Sequence, residues 1–145
     1  ISSDFTNALR ATNGANNVAE LLYQDLSYQL NGILFEVQNE LGTKFQEKHY
    51  LRAILSLLKK DNIPFNIEVP FKIEFRGNLL GSFRADLVVD NKILVELKAT
   101  DRLTSDHKQQ IIRYLDALKL DLALLVNFRS RPLQIWRIVR RAIKN

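Results

Sequence analysis

The chain has 145 residues, 46% of them hydrophobic, and a formal net charge of +5, which suits one domain built around one core. It contains no cysteine, so disulfides, thiolate metal sites and cysteine nucleophiles are excluded together. No apolar run approaches the roughly 18 residues of a membrane helix, and no basic leader with an apolar core opens the sequence.

These features lead us to expect a cytoplasmic protein that does not contact membranes. Methionine is missing too, position 1 included, so a trimmed or processed chain is expected. The charge is unevenly placed: after Asp121 no acidic residue occurs, while Arg129, Arg131, Arg137, Arg140, Arg141 and Lys144 follow. Such a basic end is either a solvated tail or an attractor of phosphate backbones.

Residues 1–15 are polar and without periodicity, a loosely ordered segment by expectation, and residues 16–145 read as a single domain. From about 17 to 41 the apolar residues Leu22, Leu26, Leu30, Ile33, Leu34, Val37 and Leu41 recur at helical spacing, and Gly42 stops the helix. A second helix is predicted over about 44–60, with Phe45, Leu51, Ile54, Leu55 and Leu58 inward, and Asp61-Asn62-Ile63-Pro64 ends it.

Ile67, Val69, Phe71, Ile73 and Phe75 then alternate with other residues, which is the period of a strand. Pro70 within it points to an edge or a bulge. After a turn at Arg76-Gly77-Asn78 come two apolar runs, Leu87–Val89 and Ile93–Val95, read as a buried pair of strands. A third helix follows, capped by Thr104 or Ser105, with Ile111, Ile112, Leu115 and Leu118 on its apolar face. Residues 122–128 and 133–139 supply two last strands. Three strands in a meander, then a crossover helix, imply a mixed sheet with helices on its faces.

The charges flanking the apolar pair are the feature that needs explaining. Asp86 opens the first run, and Glu96 and Lys98 close the second; ionised groups there are costly unless paired or bound to a metal. A three-residue loop of Asp90, Asn91 and Lys92 would set Val89 against Ile93, Leu87 against Val95 and Asp86 against Glu96, all on one side with Lys98. A two-residue loop would send Asp86 to the other face. The first gathers the charges and is the expected one. Two accounts of the cluster stay open at this point: a salt bridge in which Lys98 neutralises both carboxylates, and a divalent-metal site, since Mg²⁺ takes one or two carboxylates plus waters.

Asp86 followed after nine residues by Glu96-Leu97-Lys98 resembles the D…(D/E)xK signature of the PD-(D/E)XK nuclease superfamily. Gln110-Ile111-Ile112-Arg113-Tyr114 resembles the QxxxY motif of its RecB-like members; on a helix Gln110 and Tyr114 share a face. Over about 26–139 the chain is most similar to the small proteins named for their GxxExxY motif. Glu47 and Tyr50 hold the Glu and Tyr positions of that motif, and Lys44 stands where its glycine is usual.

The resemblance implies a restriction-endonuclease-like α/β fold in the order α-α-β-β-β-α-β-β and a metal-dependent nuclease, with DNA as the expected substrate. Asp86, Glu96 and the Leu97 carbonyl would hold Mg²⁺ or Mn²⁺. Lys98 would be the catalytic lysine, with Glu47, Gln110 and Tyr114 as further catalytic residues. Glu36 is a rival acidic contributor, although a solvated helix-face charge is the simpler account of it. His49 is best explained as a surface histidine and Trp136 as packing. Arg84, Arg129, Arg131, Arg137 and Arg140 are the expected nucleic-acid contacts, and a homodimer would address two strands. The competing functions are a non-cleaving nucleic-acid-binding module on the same fold and a structural domain whose charges form an ion-pair network.

Overall fold

The structure, a computed structural model, describes residues 22–140. The expectation for residues 1–15, the predicted first turns of the first helix, Arg141 and Lys144 lie outside that range. Eight elements follow one another: α1 (Gln24–Leu41), α2 (Glu47–Lys60), β1 (Phe65–Phe75), β2 (Asn78–Val89), β3 (Ile93–Lys98), α3 (Ser105–Leu118), β4 (Leu122–Asn127) and β5 (Gln134–Val139). This is the expected order. The strands form one sheet in the order β1-β2-β3-β4-β5. Only β3 and β4 are parallel, and they flank the crossover helix α3. The sheet is therefore mixed, of the restriction-endonuclease-like α/β class.

Two cores sit on the two faces of the sheet. Leu30, Leu34, Val37, Ile54 and Leu58 from α1 and α2 pack with Leu87, Val89, Val95, Leu97, Leu124 and Val126. Ile111, Tyr114 and Leu115 from α3 pack with Ala85, Val88, Leu94, Ala123 and Leu125 on the other face. The central strands are buried on both sides, so they read as unbroken apolar runs rather than as alternation.

The turn that was open in the sequence has three residues: Leu87 pairs with Val95, Val88 with Leu94 and Val89 with Ile93. Asp90 and Asn91 take positive φ angles of 53° and 54°, a conformation that these residue types tolerate best after glycine. Thr104 is the N-cap of α3, its hydroxyl accepting from the His107 amide.

Two expectations are revised. Phe45 is largely exposed, because α2 begins at Glu47 and helical spacing does not extend back to it. And β2 is not the short run Leu87–Val89; it starts at Asn78 and pairs with β1 along nearly its whole length. β1 is an edge strand, as Pro70 suggests. Two residues before that proline, Glu68 adopts a φ of 49°, and both Glu68 and Asp86 drop out of a ladder that holds Ile67 to Leu87 and Val69 to Ala85.

Tyr50, wholly buried, closes the segment between α1 and α2. Its hydroxyl donates to the Gly42 carbonyl at 2.6 Å and accepts from the Phe45 amide at 3.3 Å, while its ring stacks on Phe128 at 4.3 Å. Tyr50→Phe keeps the ring and strands both partners. We expect it to cost about 1–2 kcal/mol and to lower Tm by roughly 3–6 °C, measured by thermal unfolding, with the fold unchanged.

Candidate active site

The site forms where the β2–β3 ladder ends. Beyond Leu87 and Val95 the two strands exchange no further register pairs, and side chains take over the backbone's hydrogen bonds. The Asp86 amide, released from β1 by the kink at Glu68, donates to Glu96 Oε1 at 2.8 Å; the Leu97 amide donates to Asp86 Oδ2 at 3.0 Å. Each carboxylate is thus pinned by the other strand's main chain. In an extended strand a residue's N–H and C=O point to the same neighbour, so the Leu97 carbonyl shares the direction of its amide, toward the unladdered end.

Electrostatics make this arrangement expensive for two anions. Burial, and then the charge of Asp86, push the Glu96 carboxyl up to about 8, against a pull downward from the Asp86 amide and Lys98. Glu47, the first residue of α2, is raised by burial of its carboxyl end and by Asp86, and lowered by Lys98 and the Ala99 amide. Tyr114 is raised by burial, Glu96 and Asp86, which keeps its phenol protonated and able to donate. The charge of Asp86 thus reaches Glu47, Glu96 and Tyr114, and that of Lys98 reaches Glu47 and Glu96. Glu36, on the exposed face of α1, enters none of these interactions.

Lys98 separates the two accounts of the cluster. Among the described residues the ion pairs are Lys92–Asp90 and Arg140–Asp121; Lys98 has no carboxylate within 4 Å. It contributes field to Glu47 and Glu96 without being locked to either, so the neutralising salt bridge is not formed.

The donor set suits a hard cation. Two carboxylates and a carbonyl offer oxygen only, and their repulsion would be relieved by a divalent charge. Among the described residues no three Asp, Glu, His or Cys side chains converge on a common point, so an ion here would complete its shell with water and substrate oxygens, as Mg²⁺ prefers.

Two buried amides brace this end of the sheet. Asn127 donates to the Thr100 carbonyl at 2.9 Å and accepts from the Thr100 and Arg129 amides at 3.1 and 3.2 Å. It stands beside Lys98 in the parallel register and fixes the chain that leaves the lysine. Gln38 of α1 donates to the Phe128 and Ser130 carbonyls at 3.0 and 2.7 Å. Neither stands out in the sequence, where the signal for Asn127 is a polar residue closing an otherwise apolar strand.

The remaining candidates divide by position. Gln110 is half-buried one turn before Tyr114 on the same face of α3, and its amide makes no hydrogen bond among the described residues. His49 takes the Gln46 amide at 3.1 Å as part of a capping box, and Trp136 packs at the rim of the second core. Arg129 and Arg131, in the β4–β5 loop, share the end of the sheet that carries Lys98, since Lys98 is in register with Asn127 and Asn127 with Gln134. Arg84 is two residues from Asp86. Arg137 instead lies mid-strand, donating to Ser27 Oγ and the Leu22 carbonyl. Arg140 follows the far end of β5, bonded to Asp121 at 2.8 Å. The five arginines do not form one surface.

This constellation can be set beside known proteins. The sequence profile of the PD-(D/E)XK nuclease superfamily matches residues 24–139. The chain belongs to that superfamily. Among curated proteins none matches it significantly. Among solved structures it is similar to the crystal structure of SSO0001, with 18% identity, a TM-score of 0.54, and coverage of 90% of this chain and 69% of that one; at that identity the likeness speaks to the fold alone. A superfamily of nucleases implies hydrolysis of nucleic acid, with a divalent metal as its general cofactor. Asp86 and Glu96-Leu97-Lys98 lie on the adjacent strands β2 and β3.

Proposed function

We propose that the protein is a Mg²⁺- or Mn²⁺-dependent nuclease that hydrolyses phosphodiester bonds in DNA, with Asp86, Glu96 and the Leu97 carbonyl as metal ligands. The observation that carries this reading is the combination of two abutting, backbone-pinned carboxylates with a lysine that pairs with neither. A purely structural cluster would have used Lys98 to neutralise them.

When bound, the metal would supply Lewis-acid polarisation of the phosphate and a water of lowered pKa. The chain's own residues supply the rest. Lys98, free of carboxylate partners among the described residues, orients the attacking water and offsets negative charge developing on phosphate oxygens. Glu47 adds a third acidic group at the entrance and can accept a proton. Tyr114 donates from the floor of the site, and Gln110, with its amide unengaged, orients water or phosphate. Arg84, two residues from Asp86, and Arg129 and Arg131, in the loop at the end of the sheet that carries Lys98, would be the phosphate contacts. Arg137 and Arg140, the other two arginines proposed to contact nucleic acid, would have to release their internal partners to do so.

Within the superfamily we assign the chain to the GxxExxY branch. Glu47 at the site and Tyr50 closing the preceding segment give both motif residues a physical task, and Lys44 is the departure from it. A cytoplasmic setting and action as a homodimer on two strands complete the proposal.

The test is incubation of labelled linear, nicked, branched and single-stranded DNA, and of RNA, with Mg²⁺ or Mn²⁺. We expect wild-type cleavage of DNA and loss of at least about a hundredfold in Asp86→Asn, which preserves shape but removes the charge. Cleavage of RNA alone would overturn the substrate; tight binding without cleavage would favour the non-cleaving module.

A further inference from the structure

The β1–β2 hairpin extends well past the sheet it belongs to. β3 pairs with β2 only over Leu87–Val89, whereas β1 and β2 continue together from Val69/Ala85 to Phe75/Asn78. At about 3.3 Å per residue this is an arm of roughly 20 Å. It leaves from the site end, because its β2 strand carries Asp86 immediately before it joins β3. Phe71 and Phe83 at its base pack against Tyr114, which anchors it beside the carboxylates.

Beyond that base the arm buries little. Phe75, Leu79 and Leu80 at the tip are 56, 57 and 66% exposed. A tight turn in which Arg76 and Gly77 both take positive φ, 50° and 80°, holds the tip in one shape. Arg76 lies over the Phe75 ring at 5.1 Å. Residues 69–85 carry three basic side chains, Lys72, Arg76 and Arg84, against one acidic, Glu74, and none of the three is in an ion pair among the described residues. Lys72 and Arg84 flank a concavity on the arm with Pro70 and Ser82.

An exposed apolar tip on a basic stalk fits a partner that is anionic outside and apolar within. We propose that this arm enters a groove of duplex DNA beside the scissile phosphate, with Lys72 and Arg84 on the backbone and Phe75, Leu79 and Leu80 wedged into a base step. A two-stranded ribbon fits a B-form groove, and apolar wedges unstack base steps there; the deep, narrow major groove of A-form RNA would not admit it. The inference rests on nucleic acid being the substrate, and it adds duplex DNA and a mode of engagement.

The experiment uses the full chain in EDTA, so that binding is read without cleavage, and a DNA duplex carrying 2-aminopurine within the footprint. Wild type should raise the fluorescence through unstacking. Phe75→Ser/Leu79→Ser/Leu80→Ser should abolish the rise and weaken duplex binding about tenfold, with unchanged circular dichroism and sedimentation. Unstacking and affinity equal to wild type in the triple variant would overturn the proposal. So would equal losses on single strands, or conversion of a dimer to a monomer with DNA affinity intact, which would make the tip a self-association surface. A wild-type protein that unstacks the duplex but cleaves nothing with Mg²⁺ would refute the nuclease reading and leave the arm's role standing.

Discussion

Replacing Lys98 by alanine is expected to reduce phosphodiester hydrolysis by about 10²- to 10⁴-fold while leaving thermal stability within about 1 kcal/mol of wild type. The two halves of this result belong together. A lysine that neutralised two buried carboxylates would, on removal, leave them uncompensated and destabilise the fold by about 3–5 kcal/mol. Lys98 has no carboxylate within 4 Å among the described residues, so its removal forfeits no ion pair. Kinetics with saturating Mg²⁺, together with thermal unfolding of both proteins, separate the alternatives. Loss of stability with activity retained would reinstate the structural cluster.

The second large effect is a stability that falls with pH in metal-free protein. Glu96 is held near 8 in the folded state against an ordinary value of 4.5, through burial and Asp86. Between those values the native state retains a proton that the unfolded chain has released. Stability is therefore complete below about 4.5, declines as pH rises through the interval, and levels off above about 8. We expect Tm in EDTA to drop by several degrees between about pH 5 and about pH 8, and Glu96→Gln to flatten that slope. Mg²⁺ should reverse the decline at the upper end, because ligation favours the deprotonated carboxylate and the native state. A Tm that is flat with pH in wild type, or a slope kept by Glu96→Gln, would refute the assignment.

Much of the site was legible because strand period and loop length leave few choices. Once Asp90, Asn91 and Lys92 are taken as the loop, the register of Leu87 with Val95 follows, and the carboxylates must meet. The fold class was legible for a similar reason: continuous apolar runs around a helix with a clear cap allow only a buried crossover.

What escaped depended on partners distant in sequence. The outer half of β2, with Gly81, Ser82 and Arg84, carries no apolar run; its strand character comes from pairing with β1, and the turn at Arg76-Gly77 after a long alternating strand was the clue. Asn127 and Gln38 look like ordinary members of a strand and a helix until the loops they bridge are brought beside them. Arg137 and Arg140 looked available because a charge tally does not show that the fold brings Ser27 and the Leu22 carbonyl beside the first and Asp121 beside the second.

The interruption of β1 has a consequence for handling the protein. An open sheet edge offers a row of amides and carbonyls on which another chain can build. Here Pro70 removes one donor from that row, and the left-handed Glu68 turns the backbone out of line two residues earlier. A second copy cannot extend the sheet across this break, so concentrated solutions should resist fibril growth along that edge. The kink that frees the Asp86 amide for Glu96 also makes β1 a poor template.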